Sequence, residues 1–263
     1  MSTKTFLEES YKGWKLVRRS HVQTDELELL KERCARCDLC LLVCPREALS
    51  FQNDENDARK DLTVDLKECS FCGYCVAFCP FHALELRINK KPEIPIVEQG
   101  VFFPLIRHGQ VEMSPEDAAL KCPSCYICVQ HCYQRAISLK FVNGIPHLQI
   151  DYHKCAGCRS CSVNCPVGII KTNPAFTGSV ELDLEQAKQF SKEVVEICPM
   201  GCFVSNDDGE LSFSDEACVF CGACQHIPGA PSDMIVVKRT TMRTLSDYSA
   251  IVTDEIKKSF LSS

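Results

Sequence analysis

The sequence predicts an α+β protein built from three tandem modules, each made of two similar units. Three features predict this class: a recurring cysteine run, short alternating apolar stretches before the runs, and a proline with apolar residues after most of them. The chain has 263 residues, of which 21 are cysteine, with 29 Lys+Arg, 35 Asp+Glu and a formal net charge of -6. This acidic balance argues against a nucleic-acid partner, because such binding relies mostly on neutralising phosphates.

Four cysteine runs share the spacing C-x2-C-x2-C-x3-C. They are Cys34, Cys37, Cys40 and Cys44; Cys69, Cys72, Cys75 and Cys79; Cys122, Cys125, Cys128 and Cys132; and Cys155, Cys158, Cys161 and Cys165. This spacing ligates [4Fe–4S] clusters in bacterial-type ferredoxins, where the first three thiolates (the triad) hold one cluster and the fourth reaches the neighbouring cluster. Zinc sites use two C-x2-C pairs joined by a longer loop, so the repeated run favours iron–sulfur clusters.

Two further units are incomplete. Cys198 lies 33 residues after Cys165, at the position of a fourth ligand. The positions that would form its triad hold Lys188, Ser191 and Val194. At the other end, the triad of Cys218, Cys221 and Cys224 is followed by Pro228 at the fourth position. Because both halves of one cluster are missing together, we predict that the third module has lost one cluster and kept the other, with Cys198 completing the last triad.

The sequence therefore predicts five [4Fe–4S] clusters as cofactors, each held by four cysteines. The predicted sets are Cys34, Cys37, Cys40 with Cys79; Cys69, Cys72, Cys75 with Cys44; Cys122, Cys125, Cys128 with Cys165; Cys155, Cys158, Cys161 with Cys132; and Cys218, Cys221, Cys224 with Cys198. A cluster with four thiolate ligands has no open coordination position, so it exchanges electrons and does not activate a substrate. We predict an electron-transfer subunit without an active site of its own. The alternatives are a cluster-stabilised assembly scaffold and a catalytic iron–sulfur oxidoreductase with an open corner.

Short elements surround each run. Alternating apolar residues predict strands before the triads, at Leu62, Val64 and Leu66; Leu148 and Ile150; Val180, Leu182 and Leu184; and Leu211 and Phe213. After the fourth cysteines, the stretches 45–51, 80–86 and 133–139 predict one helical turn followed by a strand. Each unit is thus predicted as strand, cluster loop, short helix and strand.

These elements predict the domain boundaries. The divisions are an N-terminal extension at 1–25, two-cluster modules at 26–88 and 113–172 joined by a proline-rich linker at 89–112, a one-cluster module at 179–238, and a C-terminal amphipathic helix at 239–263. The C-terminal helix either covers the third module or docks a partner, and the N-terminal extension carries the same ambiguity. The sequence contains no apolar signal region and no apolar run of 18 residues, so we expect a cytoplasmic protein without a transmembrane segment.

Four residues near the clusters allow two interpretations each. Cys202 lies four residues after a fourth ligand. We interpret it as a small buried residue, with a redox switch or a replacement ligand as the alternative. The same slot in the other units holds Ala48, Ala83, Ala136 and Ile169. Arg159 is expected to raise the potential of its cluster, and Asp38 to lower that of its own, if their side chains turn inward. His226 is expected at the surface or hydrogen-bonded near a sulfur, with ligation as the alternative.

The chain resembles the polyferredoxin subunits of archaeal formylmethanofuran dehydrogenases, an enzyme class of methanogenesis. The resemblance covers the tandem runs from Cys34 to Cys224, and its less generic part lies at 83–89, 95–98 and 102–104. It implies tandem 2[4Fe–4S] ferredoxin modules that pass low-potential electrons to or from the enzyme that reduces carbon dioxide on methanofuran. It also implies catalytic and electron-donor subunits of that complex as partners. The cysteine runs fit the polyferredoxins of hydrogenase and heterodisulfide reductase systems as well.

Overall fold

The computed structural model describes residues 3–52, 61–95, 111–132, 135–151, 155, 157–173, 176–242 and 258–261. The chain divides into two compact units. The first contains Met1–Ile106, Gly222–Ser232 and Thr244–Ser263, and the second contains Arg107–Cys221 and Asp233–Arg243. Both contain short helices and strands, which confirms the predicted α+β class.

A five-stranded antiparallel sheet organises the first unit. Its strands, in spatial order, are β1 (Lys4–Ser10), β2 (Gly13–Arg19), β3 (Thr24–Leu29), β6 (Leu84–Ile88) and β7 (Lys91–Pro92). Residues that we assigned to an N-terminal extension therefore supply two strands of this sheet. Trp14 of β2 is buried, and its indole N–H donates a hydrogen bond to the carbonyl oxygen of Leu62 at 2.6 Å. The N-terminal strands thus pack as part of the first cluster module.

The cluster loops of the first unit lie between its smaller elements. These are α1 (Leu39–Leu42), the hairpin of β4 (Leu49–Gln52) and β5 (Asp61–Val64), α2 (Tyr74–Phe78), and 3-10 turns at Lys31–Arg33 and Ala223–Gln225.

Residues 258–261 are helical, and Phe260 is fully buried. Its ring stacks on Phe78 with 5.4 Å between centroids. The end of the chain therefore packs in the first unit, whereas we expected it on the third module or on a partner; residues 243–257 of the predicted helix lie outside the described residues.

The second unit begins with the elements around the third and fourth cysteine runs. They are β8 (Val111–Glu112), α3 (Pro115–Lys121), α4 (Ile127–Gln130), the hairpin of β9 (Ile137–Val142) and β10 (Ile145–Ile150), α5 (Ser160–Val163), and β11 (Lys171–Thr172), which pairs with β8. Helix α3 begins after Ser114, whose side chain accepts a hydrogen bond from the Asp117 backbone N–H. Val111, Ala136, Ile137 and Ile170 form a core with Cys155 and Cys161.

The remainder of the second unit contains the residues around Cys198 and Cys218. Its elements are β12 (Phe176–Leu182), α6 (Leu184–Lys188), α7 (Ser191–Ile197), β13 (Phe203–Ser205), β14 (Leu211–Phe213) and β15 (Ile235–Met242), with β12 paired to β15 and β13 to β14. Leu184 was predicted in a strand but begins α6, because the Asp183 carboxylate accepts hydrogen bonds from the first helical N–H groups. Residues 239–242 were predicted as helix and are part of β15.

The helical turns occupy a different position in the repeat from the one we predicted. Helices α1, α2, α4 and α5 lie within the runs, between the second and fourth cysteines. The prolines after the fourth cysteines, Pro45 and Pro80, begin turns instead of helices. A left-handed residue after each second cysteine starts the helical turn earlier, and in the first two runs a turn at the proline then leads to the next strand. No helix in the described residues is long and apolar enough to span a membrane.

Candidate metal centres

All five triads share one loop conformation around their second cysteine. The residue before that cysteine has a positive φ in each loop: Arg36 (57°), Phe71 (58°), Ser124 (53°), Gly157 (60°) and Phe220 (50°). The residue after it also has a positive φ: Asp38 (57°), Gly73 (87°), Tyr126 (60°), Arg159 (66°) and Gly222 (89°). Left-handed residues among right-handed ones turn successive backbone N–H groups toward one concave side, which forms an anion-binding nest of the kind found at iron–sulfur sites.

The fourth cysteine of a run has a second repeated geometry. Three residues later the backbone φ is positive, at Glu47 (50°), His82 (49°), Arg135 (49°), Gly168 (64°) and Gly201 (62°). One residue further, a backbone N–H donates to the cysteine sulfur: Ala48 to Cys44 (3.3 Å), Ala83 to Cys79 (3.2 Å), Ala136 to Cys132 (3.2 Å) and Cys202 to Cys198 (3.3 Å). Cys198 therefore has the backbone setting of a fourth ligand, although its own triad is missing. Hydrogen bonds to a ligand sulfur favour its thiolate form and tune cluster potential.

Two cavities are lined by cysteines from different runs. One is lined by Cys122, Cys125, Cys128 and Cys165 among other residues. The other is lined by Cys44, Cys69, Cys72 and Cys75 among other residues. Each cavity thus combines one triad with the fourth cysteine of the neighbouring run. These are the second and third of the sets predicted from the sequence.

The pKa shifts of the thiols in the first module show that the same cysteines lie close together. Burial raises the pKa of the Cys40 thiol well above its usual range, and the neighbouring Cys79, Cys75 and Cys34 raise it further. The pKa of Cys75 is raised by burial and then by Cys72, Cys69, Cys44 and Cys79. Cys40 is therefore close to Cys79, and Cys75 is close to Cys44. Each triad has the fourth cysteine of the other run nearby.

The second module repeats this arrangement. The pKa of Cys128 is raised by burial and then, in part, by Cys125, Cys122 and Cys165. Burial raises the pKa of Cys161 to about 12, with further contributions from Cys158, Cys155, Cys132 and Cys128. Thiols gathered in this way repel one another when ionised. The cysteines would bind an iron–sulfur cluster as thiolates, and the positive charge of the iron–sulfur core would offset the repulsion between them.

The four-cysteine sets fit [4Fe–4S] clusters in donor chemistry, since each offers four thiols and two of the sets line a common cavity. No group of three or more Cys, His, Asp or Glu side chains within the described ranges is arranged to hold a metal ion by itself. The sets also differ in exposure. Cys125 is exposed and its set includes no buried cysteine, whereas Cys155 and Cys161 are both buried. The cluster predicted at Cys122, Cys125 and Cys128 is therefore the most accessible of the five.

Cys202 lies among the cysteines of the third module. Cys202 is 4% exposed, and its thiol lies close to those of Cys198 and Cys218. The neighbouring Cys202 thiol lowers the pKa of Cys198 and of Cys218, because it can donate a hydrogen bond to their thiolates. Cys202 thus has the burial expected for its slot, and its thiol faces two predicted ligands. Cys221 is also buried in this unit, and Cys224 falls within the Gly222–Ser232 segment of the first unit.

Helices occupy the place of the missing triad. Lys188 ends α6, Ser191 begins α7, and Val194 lies in the middle of α7. Ala187 and Val194 are fully buried. Two helices, each burying one apolar side chain, therefore lie where the other units have a cysteine loop.

The charged residues beside the triads have specific partners. Asp38 pairs with His226, with 2.9 Å between Oδ2 and Nε2, and both lie in the first unit. His226 thus contacts a carboxylate, so a hydrogen-bonding role fits better than ligation of iron. Sequence reasoning missed a buried cation, Arg239, which donates hydrogen bonds to the carbonyl oxygens of Phe220 and Cys221. The signal was present: Arg239 continues the inward alternation of Ile235 and Val237 along β15.

Comparison with known protein families agrees with this geometry. Residues 33–83 and 121–169 match the family described as the 4Fe-4S dicluster domain. The chain contains ferredoxin-like dicluster domains. The two matched segments include the first four cysteine runs, and each spans one pair of runs whose cysteines lie together in the structure. The prediction of ferredoxin-like 4Fe-4S dicluster domains is therefore confirmed for these two segments.

Two individual proteins are similar to this chain. A trichloroethene reductive dehalogenase from Dehalococcoides mccartyi is 34% identical over 71 residues, which is 22% of this chain and 13% of the dehalogenase. The chain thus matches a small part of that enzyme. A solved chain from the formate dehydrogenase–heterodisulfide reductase–formylmethanofuran dehydrogenase complex of Methanospirillum hungatei superposes with a TM-score of 0.79 at 21% identity. That match covers 98% of this chain and 91% of the solved chain, and it shows a shared fold.

Proposed function

We propose that this protein is a polyferredoxin-type electron-transfer subunit that carries five [4Fe–4S] clusters. The observation that carries the proposal is the pair of cavities, each lined by one triad and by the fourth cysteine of the neighbouring run. A cavity with four thiol groups offers the ligands of a complete cluster. The proposed ligands are the twenty cysteines of the five predicted sets, and the proposed modules are those predicted from the sequence, with the N-terminal strands included in the first.

The protein's contribution to electron transfer is to hold and tune the clusters. Each [4Fe–4S] cluster accepts or releases one electron when bound. The deprotonated cysteines would supply four ligands to each cluster and leave no iron position for a substrate. Backbone N–H groups, such as those of Ala83 and Ala136, stabilise the charge on the ligand sulfurs. A module of 60 residues has a radius of gyration of about 10 Å, so two clusters held in one module would be close enough for electron transfer between them.

The proposed partners are the catalytic and electron-donor subunits of a cytoplasmic oxidoreductase complex, in the first instance formylmethanofuran dehydrogenase. The sequence resemblance and the shared fold with a chain of the Methanospirillum complex support this choice. The name of that complex also contains heterodisulfide reductase, which favours a polyferredoxin of that system as the second candidate. Affinity purification of the tagged chain from anaerobic cell extract distinguishes the two. Recovery of formylmethanofuran dehydrogenase subunits supports the first choice, and recovery of heterodisulfide reductase or hydrogenase subunits alone supports the second.

Metal content tests the cluster count directly. Anaerobically purified or reconstituted protein is expected to contain about twenty irons with a matching amount of sulfide, as five clusters of four irons require. Stoichiometric zinc, or clearly fewer irons, would refute the five-cluster assignment. The scaffold alternative predicts clusters that a donor cannot reach. Electron paramagnetic resonance detects the reduced clusters. If a low-potential donor reduces every cluster, that alternative is excluded.

A further inference from the structure

Arg18, on strand β2, contacts the loop of the second triad. Its guanidinium carbon is 4.5 Å from the centre of the Phe71 ring, within the range of a cation–π contact. Phe71 is 4% exposed and lines the cavity of the second cysteine set. Both residues and that set belong to the first unit. A cation carried by the N-terminal strands therefore lies one side chain away from the proposed site of the second cluster.

A buried carboxylate fixes the position of this guanidinium. Arg18 and Asp25 are direct partners in the antiparallel pairing of β2 with β3. Oδ2 of Asp25 accepts a hydrogen bond from Arg18 Nε at 2.8 Å and lies 2.7 Å from Arg18 Nη2. The side-chain amide of Gln23 donates a hydrogen bond to the other oxygen, Oδ1, at 2.5 Å. Because two donors of one planar group meet the carboxylate, the guanidinium has a defined orientation, and Asp25 offsets part of its charge.

The ring contact occurs where the loop keeps an uncommon conformation. Phe71 has a φ of 58°, in the left-handed region that a bulky residue rarely occupies. Burial raises the pKa of the Cys69 thiol, whereas the backbone N–H of Phe71 and the positive charge of Arg18 lower it. Arg18 thus acts on the ligand Cys69 in two ways: directly through its charge, and through Phe71, whose ring it contacts and whose N–H reaches the sulfur.

We propose that Arg18 is a positioning and potential-setting residue for the second cluster, the one assigned to Cys69, Cys72, Cys75 and Cys44. This inference rests on the proposed function, because it requires that the second cluster is present. Reduction moves one electron from a low-potential donor to the cluster, breaks no bond to a ligand and adds one negative charge. The Arg18 cation stabilises that added charge, and Asp25 weakens this effect. The second cluster is therefore reduced at a higher potential than it would be without Arg18, and at a lower potential than it would be without Asp25.

Potentiometry of the anaerobically reconstituted full chain, followed by electron paramagnetic resonance, tests this. R18Q removes the positive charge, D25N removes the negative charge and keeps an oxygen for Arg18, and R18Q/D25N removes both. The matched control is R19Q, because Arg19 is the next residue on β2, is exposed, and lies over the ring of Phe6 instead. The variant C69A identifies the second cluster, as the paramagnetic component that changes in it. Iron content is measured for every protein first.

The expected shifts have opposite signs. In R18Q, the ratio of reduced to oxidised second cluster at a fixed potential is expected to fall about tenfold, which corresponds to about 59 mV for a one-electron couple. In D25N the ratio is expected to rise about threefold or more, since the charge of Arg18 is no longer offset. The double variant is expected to lie between the two single variants, because both charges are gone. R19Q is expected to match the parent protein. A role in packing alone predicts shifts of one sign in R18Q and D25N, since both disturb the same contact.

The outcomes separate the two levels of the proposal. If the parent protein lacks the second cluster, the five-cluster assignment fails. If R18Q keeps that cluster at an unchanged potential, or if R18Q and D25N shift the ratio in the same direction, the role of the Arg18 charge is refuted and the proposed function stands. An equal fall in R19Q also refutes it, since the position over Phe71 would then not matter. If R18Q loses only the second cluster, the positioning role is supported and D25N decides the charge effect: a rise in the ratio supports it, and no change or a fall overturns it.

Discussion

Replacement of Cys165 by alanine tests whether fourth ligands cross between neighbouring runs. Cys165 lines the cavity of the third triad and is among the charges that raise the pKa of Cys128. The crossed assignment predicts loss of the cluster held by the third triad, and survival of the cluster in the run to which Cys165 itself belongs. The expected change is one cluster in five, about four of about twenty irons.

The identity of the lost cluster is read from alkylation of the folded protein. In the Cys165→Ala variant, Cys122, Cys125 and Cys128 lose their iron and become available to iodoacetamide under anaerobic conditions. Cys125 is expected to react first, because it is exposed. Mass spectrometry locates the modified residues. The cysteines of the fourth triad are expected to stay protected by their cluster.

The mirror variant, Cys132→Ala, is the matched control. It is expected to release Cys155, Cys158 and Cys161 and to leave the third triad protected. Cys161 is expected to react slowly even when released, because its pKa is about 12 and the thiolate is the reactive form. The reasoning is refuted if Cys165→Ala exposes the fourth triad to alkylation, since each run would then hold its own cluster with its own fourth cysteine.

Three further predictions concern packing, the extra cysteine and pH. Phe260→Ala is expected to destabilise the protein by about 3–5 kcal/mol, since a fully buried ring is removed; thermal unfolding checks this against Leu261→Ala, an exposed neighbour, and a loss under about 0.5 kcal/mol would contradict it. Cys202→Ala is expected to keep all five clusters, because three other units have alanine in that slot, and a loss of about four irons would instead make Cys202 a ligand. In metal-free protein, burial raises the pKa of Cys161 from 9.0 to about 12. The unfolded chain therefore loses this proton at a lower pH than the folded chain, so the contribution of the neutral thiol to folding stability is complete below about pH 9 and is lost as the pH rises to about 12. Circular dichroism of metal-free protein across that range is expected to show alkaline unfolding that protein with its clusters does not show, and equal alkaline stability of the two forms would count against this linkage.

The cysteine pattern was predictable because its physics is local. A run such as Cys69 to Cys79 specifies a loop whose turns depend on residues inside the run, and the positive φ values at Phe71 and Gly73 recur at the same positions elsewhere. The position of the helical turn was predicted wrongly, after the fourth cysteine instead of before it. Proline at the start of a helix and proline in a turn have the same sequence signal, because both use the same φ.

Contacts between distant residues were not predictable from one sequence. Trp14 is 48 residues from Leu62, yet its indole hydrogen bond joins the N-terminal strands to the hairpin of the first module. Strand β1 has no buried residue, and β2 joins the sheet only by pairing with β3, so the two strands read as an extension until that pairing is known. Phe260 reaches Phe78 from the other end of the chain, and no local pattern indicates that partner.

The elements of the third module bear on how its predicted loss of one cluster would leave the fold intact. Helices α6 and α7 bury Ala187 and Val194, but burial of a valine contributes only about 1.5–3 kcal/mol, less than the metal-binding energies of about 10–16 kcal/mol known for structural zinc sites. The helices alone therefore do not replace a cluster. The ladder between β12 and β15 also stabilises this part of the second unit, through seven paired positions from Phe176 to Leu182. Arg239 lies on this ladder and holds the loop of the last triad. Strand β15 thus both pairs with β12 and stabilises the loop proposed to hold the remaining cluster.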